Sequence, residues 1–389
     1  MFYLPPRPDL FGPEHEAFRR TVRSFVAREI TPFAAAWDEA GSFPRELYAK
    51  AAAIGLLGIG YPQELGGTPA DLFFTLVAAE ELARAGSGGV QAGLGSHHIA
   101  LPPLLAQGSA ELQQRVVPPV LAGEKIAALA ITEPGGGSDV AALRTTARRD
   151  GAYYIVDGEK TFITSGMRAD FLTVAVRTDA GNRGLGGISL LLVEGNSPGL
   201  QRTGLAKTGW WASDTAHLRF DAVRVPAANL IGDEGTGFRT IMRNFNHERL
   251  MMAAMACAYA QVCTEEALDW ARQRRSFGAA LVERQVIRHK LVDMLARVEA
   301  ARALVHELAW RTQHQAGDAD ALVARTCLAK NVATQAFQFC ADQAVQILGG
   351  MGYMRGTKSE RLYREVKVMM IGGGSEEIMK DLAARKLGL

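Results

Sequence analysis

Ile131-Thr132-Glu133-Pro134-Gly135-Gly136-Gly137-Ser138-Asp139 follows an apolar run, Ile126 to Ala130, and stops it with small, flexible residues. Three successive glycines let a backbone approach a flat or anionic ligand without interference from Cβ atoms, while Thr132 and Ser138 add hydroxyls that donate or accept. The run fits neither the dinucleotide G-x-G-x-x-G nor the phosphate-loop G-x-x-x-x-G-K-[ST] spacing, and an ordinary turn is the competing reading of any glycine cluster. A second segment, Gly158-Glu159-Lys160-Thr161-Phe162-Ile163-Thr164-Ser165-Gly166, carries aromatic and β-branched residues that read as a strand closing in a polar turn.

Outward from these segments the hydrophobic period changes twice. Upstream, residues 10 to 125 hold helical spacings such as Phe18, Val22, Phe25 and Val26, with breaks at Gly41-Ser42, Gly66-Gly67 and Gly86 to Gly89. Around the segments, short β-branched runs follow one another: Tyr153 to Val156, Phe171 to Val176, Ile188 to Val193 and Ala216 to Phe220. Beyond Gly237 long helical patterns return, at Val262 to Gln273, Ile287 to Gln313 and Ala321 to Leu348. The expected fold is α+β and multidomain: an all-helical N-terminal domain (1–125), a middle β-sheet or barrel domain (126–233) and a C-terminal four-helix bundle (234–389).

Composition excludes several functions. A formal net charge of +2, with arginines scattered among acids, gives no electrostatic case for nucleic acid or an anionic membrane. Cys257, Cys263, Cys327 and Cys340 sit in helix-like stretches without C-x-x-C spacing, which reads as buried reduced thiols of a cytoplasmic protein and not as a metal site. His97-His98 are adjacent and no H-E-x-x-H occurs, so no metal or nucleophile constellation is expected. The Met1 to Phe11 segment carries prolines and an early acid instead of a basic region with an apolar core, so neither secretion nor organelle import is signalled. No apolar run reaches membrane-spanning length.

Taken together, the two loop segments resemble the flavin-binding strands of the acyl-CoA dehydrogenase family, whose T-E-P-G-x-G-S-D and W-I-T-N-G-like motifs hold FAD. The likeness continues through Arg272-Gln273-Arg274-Arg275-Ser276-Phe277-Gly278, Gln346-Ile347-Leu348-Gly349-Gly350-Met351-Gly352-Tyr353 and Gly372-Gly373-Gly374-Ser375-Glu376-Glu377-Ile378-Met379, and so spans essentially the whole chain. It implies the same helical, β, helical order, with FAD between the β domain and the bundle of a homotetramer. By that likeness Ile131, Thr132, Gly137 and Ser138 face the flavin and pyrophosphate, and Phe162 and Thr164 lie at the isoalloxazine ring. Phe162 replaces the family's commoner Trp and Leu129 a frequent aromatic; both keep an apolar wall. Arg274 and Phe277 are implied to come from a neighbouring subunit to meet the pyrophosphate and adenine, joined by Gln346 and Gly350, with Ser375 and Glu377 near the same cofactor. From the residues alone, Arg274 reads equally as a solvated helix charge, and Gln346 with Gly350 as a helix end and its glycine cap.

The implied chemistry is α,β-dehydrogenation of an acyl-CoA thioester, in which a base takes the α proton and the β hydrogen leaves as hydride to flavin N5. In many family members the base is a Glu whose position here is Gly373. The isovaleryl and long-chain branches instead carry it in a segment that resembles Asn244-Phe245-Asn246-His247-Glu248-Arg249-Leu250, which makes Glu248 the candidate. On one continuous helix Glu248 shares an apolar stripe with Ile241, Phe245, Met252 and Met255, and burial there raises a carboxyl's pKa toward a base's working range. The alternative is that Asn246 caps a helix and Glu248 decorates its positive first turn. Gly373 keeps an implied role through its backbone N–H, which in relatives binds the thioester oxygen with a ribityl hydroxyl. Asn246 and Arg249 read as pantetheine or base-positioning neighbours, or as surface polar residues. Three functions follow: an acyl-CoA dehydrogenase that passes electrons to an electron-transferring flavoprotein, a flavin oxidase or monooxygenase on the same scaffold, or a non-catalytic flavoprotein assembly subunit.

Overall fold

Local signals fix most of the helices. In the computed structural model, which describes residues 7–179, 181 and 184–389, side-chain caps start several of them: Asp71 accepts from Phe73 and Phe74 N–H, Ser109 from Leu112 and Asp318 from Ala321. Of the Met1–Phe11 segment, residues 1–6 lie outside the described residues. The first region holds α1 (Pro13–Phe25), α2 (Ala34–Ala40), α3 (Glu46–Ala53), α4 (Leu72–Ala83), α5 (Gly88–Leu94), α6 (His97–Ala100), α7 (Pro102–Gln107) and α8 (Ala110–Leu121). Gly41, Gly66 and Gly86 end elements with positive φ, as their spacing predicts. Gly88 and Gly89 do not break the chain. They open α5, because the buried Glu365 carboxylate accepts from both of their N–H groups, at 2.8 and 3.4 Å.

The middle region supplies β1 (Ala127–Ala130), β2 (Thr146–Asp150), β3 (Tyr153–Thr164), β4 (Phe171–Arg177), β5 (Ile188–Glu194), β6 (Leu200–Gly204), β7 (Thr215–Pro226) and β8 (Leu230–Ile231). They form one open sheet in the order β6-β7-β3-β2-β4-β5-β8, with β1 pairing parallel to β4; it does not close into a barrel. The central strands β4 and β5 are buried on both faces, whereas β2 and β6 are largely exposed or half-buried. One face packs on α6–α8 and the first turns of the long helix that follows, while Tyr154, Val156, Leu172, Val174, Leu191, Val193 and Leu218 fill a second cluster.

That long helix, α9 (Gly237–Gln273), is joined by the small hairpin β9 (Arg275–Ser276) and β10 (Ala279–Ala280) to α10 (Gln285–Gln313). There follow α11 (Ala319–Leu348), α12 (Gly350–Tyr353), α13 (Lys358–Ile371) and α14 (Glu376–Leu387). The buried cluster of α9, α10, α11 and α13 includes all-round small and apolar residues such as Ala253, Ala256, Ala260, Ala333 and Phe337, so the helices approach closely as a bundle requires. Lys330 lies beside Arg249, and the Phe337 ring sits 5.3 Å from Tyr259, so α9 and α11 run in the same direction. The end of α11 is capped by Gly349, with φ +63°, and Gly350 starts the next turn; the cap falls one residue earlier than the sequence suggests. The four cysteines are free, buried and helical.

Candidate active site

Two loops form the first half of the site. Glu133 and Gly136 make a tight turn through paired backbone hydrogen bonds, and Thr161 N–H donates to Thr132 O at 2.8 Å, which ties the glycine loop to β3. The pairing of β3 with β7 slips between Lys160 and Ile163, a bulge that re-aims side chains. Phe162 sits in this slip with φ +60° and 68% of its surface exposed, a conformation an aromatic residue adopts only when its surroundings enforce it. A Cβ at Gly135 would meet nothing within 4 Å, so the glycines are not needed for packing within the chain. Among the described residues the hydroxyls of Thr132, Ser138 and Thr164 have no hydrogen-bond partner in the chain. Open glycine backbone, unpartnered hydroxyls and a presented aromatic face together fit a flat, anionic cofactor such as FAD.

Sequence reading gave no role to the pair that holds this cradle together. Lys160 is fully buried; its Nζ donates to Ile131 O at 2.9 Å and to Glu133 Oε1 at 2.8 Å. The Glu133 carboxylate also accepts from Arg144 N–H at 2.6 Å and Thr145 N–H at 2.9 Å. Burial brings the Lys160 amine down to about 8 in spite of Glu133. Burial alone pushes the Glu133 carboxyl up, but Lys160 and the Thr145 and Arg144 hydrogen bonds outweigh it and bring the carboxyl below its ordinary range. The pair is therefore ionised at neutral pH. Its signal was present: one member lies in each quoted motif, and Lys160 is the only basic residue in either.

The second half of the site is on α9 and the loop between α13 and α14. Asn246 and Glu248 lie more than two turns inside α9, so neither a cap at Asn246 nor a first-turn acid at Glu248 exists. Glu248 Oε2 is buried without a hydrogen-bond partner among the described residues. Burial raises its carboxyl to about 7, against the opposing pull of Arg249 and Lys330. Arg249 is buried; its Nε donates to Gly373 O at 2.9 Å and its Nη1 to Asn246 Oδ1 at 3.2 Å, so Asn246 positions the guanidinium. Gly373 has φ +66°, a Cβ there would fall 2.8 Å from Met252 Sδ, and its N–H has no partner among the described residues. Ser375 caps α14, accepting from Ile378 N–H at 3.4 Å, and Glu377 is exposed in its first turn. The two halves border one apolar cluster: Ile131 belongs to it, and Leu129 and Phe245, the latter one turn before Glu248, pack against it.

Arg274, Phe277, Gln346 and Gly350 are elsewhere. All four are exposed, and the parallel run of α9 and α11 brings them to one end of the bundle. At about 1.5 Å per residue, Arg274 stands roughly 39 Å along α9 from Glu248. Phe277 and Gly278, with φ +48° and +80°, form the tip of the β9–β10 hairpin, and Phe277 is 98% exposed. These four residues thus lie far along the bundle from Glu248 and from the Gly373 loop.

Comparison with known proteins agrees with this architecture. Residues 12–124, 128–223 and 235–388 match the family models described as the acyl-CoA dehydrogenase N-terminal, middle and C-terminal domains. The chain is 37% identical over 380 residues to the mitochondrial long-chain specific acyl-CoA dehydrogenase of Rattus norvegicus, covering 97% of this chain and 87% of the relative. Among solved structures, the acyl-CoA dehydrogenase of Geobacillus kaustophilus superposes with a TM-score of 0.92 at 37% identity, covering 97% and 98% of the two chains. A glutaryl-CoA dehydrogenase of Mycobacterium smegmatis in complex with FADH2 does so with a TM-score of 0.91 at 25% identity, covering 98% and 96%.

Proposed function

Since the chain belongs to the acyl-CoA dehydrogenase family, we propose that it oxidises an acyl-CoA thioester to the trans-2-enoyl-CoA, with Glu248 as the base that takes the α proton. The observation that carries this reading is the Glu248 carboxylate: on a half-buried side chain, with Oε2 buried and unpartnered among the described residues, and raised to about 7 by desolvation. A carboxylate with a pKa near neutrality is ionised often enough to accept a proton and basic enough to hold it. The free N–H of Gly373 lies on the loop that Arg249 holds, and it supplies a hydrogen bond to the thioester oxygen as negative charge develops there. Ile131, Thr132, Gly137, Ser138, Phe162 and Thr164 hold FAD, with Leu129 as apolar wall and Ser375 and Glu377 nearby. When bound, FAD supplies the two-electron acceptor for the β hydrogen. Electrons then pass to an electron-transferring flavoprotein. An acyl-CoA panel scored by anaerobic bleaching of the flavin tests the reading: at least one chain length bleaches it, and no bleaching by any acyl-CoA overturns it.

The site is completed by a neighbouring chain within a homotetramer, Arg274, Phe277, Gln346 and Gly350 of one chain serving the FAD held by another. Arg274→Ala therefore lowers FAD retention on gel filtration while leaving the thermal stability of the apoprotein within about 0.5 kcal/mol, as for an ordinary surface change. Full FAD retention in Arg274→Ala, or an equal loss of apoprotein stability, contradicts the shared site.

Gly373 marks where many relatives place their base, yet a carboxylate cannot simply be returned there. A side chain at φ +66° costs about 1–2 kcal/mol, and its Cβ collides with the Met252 sulfur. Gly373→Glu in a Glu248→Gln background accordingly stays inert, and measurable flavin reduction returns only when Met252→Ala is added. Activity in the double variant shows that the Met252 sulfur does not block the position, whereas an inert triple variant that still binds FAD and acyl-CoA shows that the two base positions do not share one substrate geometry.

A further inference from the structure

Lys330 is a fully buried cation on α11 that the proton transfer does not itself use. Its Nζ donates to Gly374 O at 2.6 Å and to Met370 O at 3.4 Å. Those two carbonyls bracket the glycine loop, the first just past Gly373 and the second in the last turn of α13, where a helix leaves its carbonyls without partners. Next to it Asn331 Nδ2 donates to Glu376 O at 3.0 Å, and from the opposite side Arg249 holds Gly373 O. Two loop carbonyls, Gly373 O and Gly374 O, are thus held by Arg249 of α9 and Lys330 of α11, and Asn331 fixes the start of α14.

The same side chain flanks the loop with Arg249: a Cβ on Gly373 would lie 3.8 Å from both Lys330 Cε and Arg249 Cγ, and burial brings the Lys330 amine down to about 8 while Glu248 opposes that fall. Glu248 is met by two positive groups, Arg249 on its own helix and Lys330 across the bundle; Lys330 in turn faces Arg249, Cys327 and Glu376 as well as Glu248. Arg249 is engaged with Gly373 O and Asn246, and Lys330 with Gly374 O, so both charges are fixed in place. A fixed cation beside a buried carboxyl favours its ionised form, which is the form a base needs.

We propose that Lys330 is a positioning residue for the reaction, holding the Gly373–Gly374 loop through its carbonyl while supplying the fixed positive charge against which Glu248 ionises. This rests on the reading of Glu248 as the base. Its two parts separate by substitution: Lys330→Met removes charge and hydrogen bonds, Lys330→Gln removes the charge and keeps a donor, and Lys330→Arg keeps the charge.

The readout is the ionisation of Glu248, followed through the carboxylic-acid band in infrared titration of the FAD-loaded protein and assigned by its loss in Glu248→Gln. In Lys330→Met and Lys330→Gln the midpoint moves up by about one pH unit or more, as expected when an opposite charge is withdrawn from a carboxyl. The pH at which the reductive half-reaction reaches half its plateau moves with it. Lys330→Arg restores the midpoint. A role in packing alone would lower stability in all three variants without moving the titration. An unmoved midpoint in a folded Lys330→Gln protein overturns the proposal. If both neutral variants fail to fold, the parent decides: Glu248→Gln removes the carboxylate that favours charged Lys330, so the Lys330 amine must titrate at lower pH there, and an unchanged Lys330 titration overturns the proposal equally. The infrared titration does not depend on turnover, so a protein that bleaches with no acyl-CoA defeats the functional reading while still reporting on the Lys330–Glu248 coupling.

Discussion

Glu248→Gln slows flavin reduction by an acyl-CoA about 10²–10⁴-fold, the contribution of a positioned general base. Glutamine keeps the shape of the side chain and cannot accept the proton, so FAD content and acyl-CoA binding stay as in the parent. Anaerobic stopped-flow measurement of the reductive half-reaction decides the matter; near-normal reduction would falsify the assignment. In the parent, the rate rises with pH through about 7, where the Glu248 carboxyl ionises, and this limb disappears in the variant. Stability changes in the opposite sense to activity. Folding raises this carboxyl above its unfolded value, so its contribution to stability is complete below the ordinary glutamate range and is lost as pH rises through about 7. A glutamine never ionises, and Glu248→Gln therefore melts at a higher temperature than the parent above pH 7, with the difference closing in acid. Loss of activity together with gain of alkaline stability is the mark of a carboxylate held in an unfavourable site for use.

Much of this arrangement was legible in the sequence because it is local. The change of period from helical to alternating and back placed the sheet between two helical regions, and the open loop at Gly135–Gly137 was evident from glycines whose freedom no neighbour in the chain requires. The inward aim of Glu248 followed from its stripe with Ile241, Phe245 and Met252, and the length of α9 then removed the competing capping role. What escaped were contacts between residues distant in the chain. Lys330 lies 44 residues before the Gly374 carbonyl it holds, Lys160 lies 27 residues after Glu133, and Glu365 lies 277 residues after Gly88. In a linear sequence each reads as a solvated charge, because burial of a charge depends on partners that only the fold supplies. Gly88-Gly89 was misread for the same reason: a distant carboxylate turns a break signal into a helix start. The placement of Arg274 and Phe277 far along the bundle from Glu248 likewise needed the directions of α9 and α11.

Lys160→Met should be the most damaging single change to the flavin cradle, costing about 3 kcal/mol, the lower end of the range for breaking a buried ion pair by removing one partner. The lower end applies because Glu133 keeps its hydrogen bonds from Arg144 and Thr145 when the ammonium is gone. The damage extends beyond stability. Lys160 reaches from β3 to Ile131 O as well as to Glu133, so its loss frees the glycine loop from the strand that presents Phe162, and FAD retention falls with the melting temperature. The physical claim is that most of the cost comes from a stranded carboxylate, and a double-mutant cycle isolates it. Glu133→Gln retains an acceptor for the two backbone N–H groups while removing the charge, so adding it to Lys160→Met recovers a large part of the lost stability, although the link to Ile131 O stays broken and FAD retention recovers less. Chemical denaturation of the apoproteins gives the first quantity and FAD titration the second. If the double variant is as unstable as the sum of the two single changes, Lys160 and Glu133 are not coupled and the cradle is held by backbone pairing alone.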